Sequence, residues 1–401
     1  LIEDTVIEME DHDAPINHIK SLAFNRSTSS IGETKAVFYI EKDLKSAGIS
    51  TKVQYFSFVG PIRILMRITY VILLTYLVLY RLVVIIAFYL AIKYMFARTR
   101  NYSLVKKENS KNLIAMISAK NNQKKKPVAI LSAHLDSFSA NLPYKLQNVL
   151  FIVFRVIIIP YFVITLGFSV WIIFNPSYNQ MGDPVLVNLV LISSLTEFVI
   201  IFLIFILIFN TKKSMGSIDN ASGVAILMEL TKLLEKQSLK NIDVITVFTG
   251  AEEWGLIGSK RYCERNRKFL VEKYDLNQSF NINVDMVGTY IGLVERKGIF
   301  RKKQMNRTLN TTIEETAQNL NIAIVKHHNL IEPKTDHKNF KRFAKKTKSK
   351  FQIACLHSDK DSKYIHSPRD TPDKCNPEVL NNAVKLIFNT LKQIDSQINT
   401  N

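Results

Sequence analysis

Apolar residues follow two rhythms along this chain. From Thr34 to Ala47 they recur at helical spacing (Ala36, Val37, Ile40, Leu44), and Gly48 stands where such a helix would stop. Lys52 to Phe58 alternates as a strand does. Asn112 to Ile117 and Pro127 to Ala133 read as strands flanking the polar Asn-Asn-Gln-Lys-Lys-Lys run at 121–126. Val224 to Leu234 has the spacing of an amphipathic helix, Val244 to Phe248 and Asn281 to Val284 read as buried strands, and Pro377 to Ile394 as a closing helix. Strands alternating with helices predict an α/β fold, a mixed sheet flanked by helices.

Two longer apolar blocks, 59–98 and 148–210, interrupt that pattern. Val149 to Phe174 and Val185 to Phe209 each have the roughly 20 residues that a hydrocarbon core of about 30 Å requires, and a turn-forming loop at 175–184 separates them. Arg81 divides the first block, which reads as a short hairpin turning there or a re-entrant helix. The expected organisation is therefore a soluble domain assembled from 1–58, 99–147 and 211–401, with a first membrane insertion at 59–98. A second insertion of two transmembrane helices follows at 148–210.

Composition sharpens this division. The chain is 47% hydrophobic yet carries a net charge of +19. The blocks 59–97 and 148–210 hold five of the 53 basic residues and two of the 34 acidic ones, so charge and hydrophobicity are segregated. Lys52, Arg98, Arg100, Lys106, Lys107, Lys145, Lys212 and Lys213 flank the soluble side, whereas 175–184 has no Lys or Arg. Positive charge marks the cytoplasmic side, which predicts a multi-pass protein in a lipid bilayer with its soluble domain facing the cytoplasm. The basic stretch from Lys338 to Lys350 fits either a solvated face or anionic headgroups. No nucleic-acid motif accompanies the charge. Cys263, Cys355 and Cys375 are odd in number and widely spaced, which argues against a disulfide framework.

Residues suited to a metal site fall mostly at the predicted strand ends: His134 and Asp136; Asp219-Asn220; Glu252-Glu253; Asp285; and, near the C-terminus, His366. Each alone has a plain reading, such as Asp219-Asn220 capping the following helix. Five such segments in one chain point to a single crevice beyond the strands' carboxyl ends. Imidazole and carboxylate suit zinc or a similar divalent ion. Two histidines and three carboxylates are too many for one catalytic zinc and fit a pair bridged by a carboxylate. Asp136, two residues after His134 on an extended segment, points to the same side and can orient the imidazole. Of Glu252 and Glu253, one can ligate while the other takes a proton from water.

In order, these segments read His-x-Asp, Asp-Asn-x-Ser-Gly, Glu-Glu-x-Gly-Leu-x-Gly-Ser, Asp-Met-x-Gly and Tyr-x-His. The set resembles the co-catalytic zinc aminopeptidases, metallopeptidase family twenty-eight, over roughly 15–58, 99–142 and 212–397. The resemblance implies a zinc exopeptidase-like fold and two Zn2+ ions. It implies that His134 and Asp285 bind one ion, that Glu253 and His366 bind the other, and that Asp219 bridges them. It further implies Glu252 as general base and Asp136 as the residue orienting His134. The expected activity is hydrolysis of N-terminal residues from peptides by metal-activated water, in a membrane-anchored member of the family. The rival readings are a glutaminyl cyclase-like transferase and a non-catalytic membrane scaffold of the same fold. The two apolar insertions depart from the family pattern.

Overall fold

A computed structural model of the chain describes residues 12–60, 107–150, scattered positions within 152–203, and 213–398 apart from 298–302, 305 and 330–331. It divides into two compact units. One comprises 1–57, 109–139 and 213–401; the other comprises 58–108 and 140–212.

The first unit opens with helices α1 (Ala14–Ser21) and α2 (Ile31–Ser46). Helix α2 starts where Ser30 Oγ accepts the Glu33 N–H at 3.2 Å, while Glu33 Oε2 accepts the Ser29 N–H at 2.8 Å, so short local bonds satisfy amides at the helix start. Strands β1 (Thr51–Phe58), β2 (Glu108–Ile117) and β3 (Val128–His134) follow. Next come α3 (Ser222–Lys236), β4 (Asp243–Thr249), α4 (Ile257–Lys273) and β5 (Phe280–Asp285). Strands β6 (Ile291–Lys297) and β7 (Lys303–Gln304), helix α5 (Arg307–Asn319), strand β8 (Ile324–Asn329) and helix α6 (His337–Thr347) lead to β9 (Gln352–His357) and the final helix α7 (Pro377–Gln397).

Among the described residues, nine strands form one sheet in the order β1-β2-β4-β3-β5-β9-β6-β7, with β8 paired to β6. The central strands β4, β3, β5 and β9 are mutually parallel, whereas β2 runs antiparallel to β4 and β6 antiparallel to β9, so the sheet is mixed. Every residue of β3, β4 and β5 is buried, as a parallel sheet covered on both faces requires. One face packs Val128, Ile130, Ile245 and Val247 against Tyr262 and Leu270 of α4 and Phe340 and Phe343 of α6. Each such side chain contributes about 1.5–3 kcal/mol when fully buried. The predicted basic stretch is thus largely helix α6, whose Phe340 and Phe343 enter this core while Arg342, Lys345 and Lys346 stay exposed.

Helix α3 packs on β3, β4 and β5, with Thr231 Oγ1 2.8 Å from Thr246 Oγ1, and α1 and α7 pack against α3. Asp395 of α7 accepts the backbone N–H groups of Lys240, Asn241 and Ile242 at 2.8, 2.7 and 3.0 Å, pinning that helix to the amino-terminal end of β4. The parallel register pairs His134 with Thr249 and Asp285 with His357, so the metal-ligand types emerge together at the carboxyl edge.

The predicted insertion at 59–98 lies outside the described residues except for Val59 and Gly60. The two predicted transmembrane helices of 148–210 are described only in part. Among the described residues, no helix is long and apolar enough to cross a membrane. The described positions of that segment include exposed Val149, Val156, Val163, Phe174, Ile192 and Leu195.

Candidate metal centre

The predicted ligands sit at the carboxyl ends of strands or in the turns and loops near them. His134 is the last residue of β3 and Asp285 the last of β5. The chain reverses at once after Asp285, with Met286 at φ 62°, and Met286 N donates to Asn220 Oδ1 at 3.1 Å. Asp219 and Asn220 divide two tasks. Asn220 Oδ1 also accepts the Gly223 N–H in the first turn of α3, at 3.0 Å, so it plays the capping role, leaving Asp219 free to face the crevice. A side chain at residue 223 would collide with Asn220 Oδ1 at 2.5 Å and the Val284 carbonyl at 2.6 Å, which is why glycine stands there. Glu252 and Glu253 follow Ala251, itself at φ 52°, in the turn between β4 and α4. His366, in the loop before α7, adopts φ 58°, an uncommon conformation for a non-glycine residue held where the surroundings dictate it.

These residues converge. His134, Asp219 and Asp285 form one group and Asp219, Glu253 and His366 another, with one donor atom from each residue lying within 4.8 Å of the others. Asp219 presents its two oxygens in opposite directions: Oδ1 lies 2.9 Å from His134 Nε2, and Oδ2 lies 3.3 Å from His366 Nε2. His134 Nε2 lies 3.5 Å from Asp285, and His366 Nε2 lies 3.2 Å from Glu253 Oε1. Among the described residues, Glu253 Oε1 is buried and makes no aligned hydrogen bond. A buried carboxylate oxygen facing an imidazole without a proper hydrogen bond is the condition a cation relieves. The donor chemistry, nitrogen and carboxylate oxygen only, fits zinc. On one side, Phe138 packs edge-on to the His366 ring, with centroids 5.0 Å apart.

Asp136 departs from its expected geometry. His134 Nδ1 lies 3.0 Å from the backbone carbonyl of Asp136 and 3.7 Å from its carboxylate. The carboxylate instead accepts the N–H groups of Glu252 at 3.1 Å and Glu253 at 3.4 Å, and the Thr28 hydroxyl at 2.8 Å. The backbone oxygen is closer to the ring, while the carboxylate bonds the glutamate turn and stays within 3.7 Å of His134 Nδ1. Asp336, between Thr335 and His337, grips the same turn: it is buried and accepts the hydroxyls of Thr249 and Ser259, which flank residues 250–258. Burial pushes its carboxyl up to about 6.

The electrostatics are those of a cation site. Burial opposes a charge on His134, but Asp136, Asp219 and Asp285 outweigh it and raise its pKa well above the ordinary imidazole range. Burial likewise opposes a charge on His366, yet Glu253 and Asp219 bring it up to about 10. Asp219 is buried, yet the two imidazoles hold it below the usual carboxylate range. Burial raises Glu252 well above its ordinary value, with His134 pulling the other way, and Glu253 is raised for the same first reason.

The pH dependence follows. A group whose pKa is raised on folding adds stability below its unfolded pKa and loses it as pH climbs through the folded value. For His366 that window runs from the ordinary imidazole range to about 10. Metal-free protein is therefore expected to melt at a lower temperature at pH 9 than at pH 6. Because metal and protons compete for the imidazoles, stabilisation by added zinc should grow over the same interval. Thermal melts with chelator and with zinc check this; a zinc shift that shrinks with rising pH contradicts it.

Residues 206–391 match the sequence model of Peptidase family M28. Aminopeptidase YwaD of Bacillus subtilis (strain 168) is 37% identical over 76 residues, 19% of this chain and 16% of that protein. A probable zinc metalloprotease of Pyrenophora tritici-repentis is 37% identical over 73 residues, 18% of this chain and 15% of that protein. The matched stretch thus spans about a sixth of the length of these relatives. The fold match is wider. The aminopeptidase from Aneurinibacillus sp. strain AM-1 superposes with a TM-score of 0.57 at 17% identity, over 96% of this chain and 93% of that one. A glutaminyl cyclase from an Acidobacteriales bacterium gives 0.55 at 14% identity, over 97% and 96%. The mixed sheet flanked by helices is therefore the fold that these aminopeptidase and glutaminyl cyclase structures share, and residues 206–391 carry the M28 sequence pattern.

Arg26 and Asp370 belong to the surroundings of the centre. Arg26 lies in the Asn-Arg-Ser-Thr run at 25–28, and Asp370 is four residues after His366 in the same C-terminal segment. The signal for Asp370 was this spacing alone.

Proposed function

We propose that this protein is a zinc-dependent aminopeptidase that hydrolyses the N-terminal peptide bond of peptides. The observation that carries the reading is Asp219, one carboxylate oxygen toward each of His134 and His366, the arrangement of a ligand shared by two metals. His134, Asp219 and Asp285 would hold one zinc; Asp219, Glu253 and His366 would hold the other. When bound, the metals supply a water of lowered pKa and polarisation of the scissile carbonyl. Glu252, in neither ligand group, takes the proton of the attacking water on its carboxylate and returns it to the departing amine nitrogen. Burial favours the protonated carboxyl, which suits that return. Asp136 fixes both glutamates through their N–H groups.

The segments 59–98 and 148–210 anchor the chain in a bilayer in this reading, with the sheet-bearing part on the cytoplasmic side. Their segregated hydrophobicity and the exposed large apolar side chains between Val149 and Leu203 support it. The test is a peptide-library digest by detergent-purified protein, with and without chelator, after recovery from alkali-washed membranes. Release of free N-terminal amino acids, abolished by chelator and restored by zinc, is expected. Cyclised N-terminal glutamine, or no turnover by zinc-loaded protein, would refute the aminopeptidase reading; full release of the protein by alkali would refute anchoring.

A further inference from the structure

The loop carrying Asp219 is held from both sides by buried groups of opposite charge. Asp370, fully buried, accepts the Ile218 N–H on Oδ1 at 2.6 Å and the Asp219 N–H on Oδ2 at 3.3 Å. Arg26, only 1% exposed, donates to carbonyls of the same loop, Met215 from Nη1 and Gly216 from Nη2, each at 2.7 Å. The carboxylate takes the loop's amides and the guanidinium its carbonyls, and both sets of bonds are charge-assisted.

Arg26 also reaches the other metal-bearing loop. Its Nε donates to the Leu135 carbonyl at 2.9 Å, next to His134. Its own backbone exchanges bonds with Ser137: Arg26 N donates to Ser137 Oγ at 3.0 Å, and Ser137 N donates to the Arg26 carbonyl at 3.2 Å. The loop fits closely around the arginine. Gly216 sits at φ 63°, and a Cβ there would meet Ser137 Cβ at 2.6 Å and Arg26 Nη2 at 2.9 Å. The two chain ends that bound the 140–212 segment lie side by side, with Ser214 N donating to Ser139 Oγ at 2.8 Å.

We propose that Arg26 and Asp370 are positioning residues for the metal centre, together fixing Asp219 against His134 so that one carboxylate reaches both ligand groups. The inference rests on the two-metal reading above. Losing either residue leaves buried amides or carbonyls of the Asp219 loop unsatisfied. The loop then relaxes, and the shared ligand leaves its bridging position. Outer partners of metal ligands have this leverage, typically about 10–100-fold in metal affinity.

The test compares Asp370→Asn, Asp370→Glu and Arg26→Lys with a control, Asp395→Asn. Asp395 also accepts backbone N–H groups, but at the amino-terminal end of β4, on the opposite edge of the sheet from the metal ligands. Zinc dissociation constants are measured by chelator competition, alongside melting temperatures and the visible spectra of the cobalt-loaded proteins. Asp370→Asn and Arg26→Lys are expected to weaken zinc binding at least about 10-fold and to alter the cobalt spectrum, while Asp370→Glu, which keeps the charge, recovers part of the affinity. The control should melt earlier and bind zinc as wild type does. The proposal is overturned if the folded variants at 26 and 370 keep wild-type zinc affinity and cobalt spectra, or if the control loses zinc affinity as much as they do for a similar drop in melting temperature. Should Asp370→Asn not fold, Asp370→Glu and Arg26→Lys decide the matter on the same criteria. A wild type that binds no zinc would instead sink the two-metal reading itself.

Discussion

Exchanging Glu252 for glutamine is expected to lower kcat by roughly 10²–10⁴-fold while zinc content stays at the wild-type level. The amide keeps the size and much of the hydrogen bonding of the carboxyl but cannot accept a proton from water. Glu252 is absent from both ligand groups, so its loss removes no metal donor. An interaction made only in the transition state lowers kcat and kcat/KM together, and KM for an aminoacyl anilide should therefore stay near its original value. The acid limb of the pH–rate profile should vanish as well, since that limb reports the general base. Retention of activity within about tenfold would place the base elsewhere, and loss of zinc would make Glu252 a ligand.

The adjacent glutamates also mark where sequence reasoning stopped. Their spacing shows that one can ligate while the other works as a base, but the turn geometry decides which. In the structure the turn sends Glu253 toward His366, at 3.2 Å, and leaves Glu252 nearer His134 electrostatically. Strands β3, β4 and β5 were legible because unbroken apolar runs ended on His134, on the Glu252 turn and on Asp285. Helices α4 and α6 were hidden by their charge. Of its larger side chains helix α4 buries Ile257, Tyr262, Cys263 and Leu270, and α6 enters the core through Phe340 and Phe343, so both read as largely polar sequence. Strand β9 is a short apolar run without a motif. Asp136 shows a subtler limit of pattern. Alternation on a strand predicts the side of a side chain but not competition from the residue's own carbonyl, which lies closer to the His134 ring. Arg26 carries no pattern, because beside the local Leu22 and Phe24 carbonyls its guanidinium takes carbonyls from segments about 110 and 190 residues away.

Asp219 should be the most consequential single position. Replacing it by alanine is expected to empty both metal positions, whereas His134→Ala and His366→Ala each remove a donor from one group and leave the other complete. The asymmetry comes from its two oxygens, which serve different histidines. It has an electrostatic side too. Two divalent ions in one crevice would repel each other, and a carboxylate shared by both groups would be the charge that offsets this most directly. Alanine thus removes a donor from each ion and their shared counter-charge at once, while the buried imidazoles regain protons from solvent. Metal analysis of dialysed proteins tests the contrast: near zero zinc per chain for Asp219→Ala, about one for each histidine variant, about two for wild type. One tightly held zinc in Asp219→Ala would show that a group functions without the shared ligand. Equal loss in all three variants would show that the two groups fill and empty as a single unit. Asparagine at 219 separates the two effects, since it preserves a donor oxygen on one side while discarding the charge. If charge dominates, it should resemble alanine; if donor geometry dominates, it should keep the ion on the side its oxygen faces.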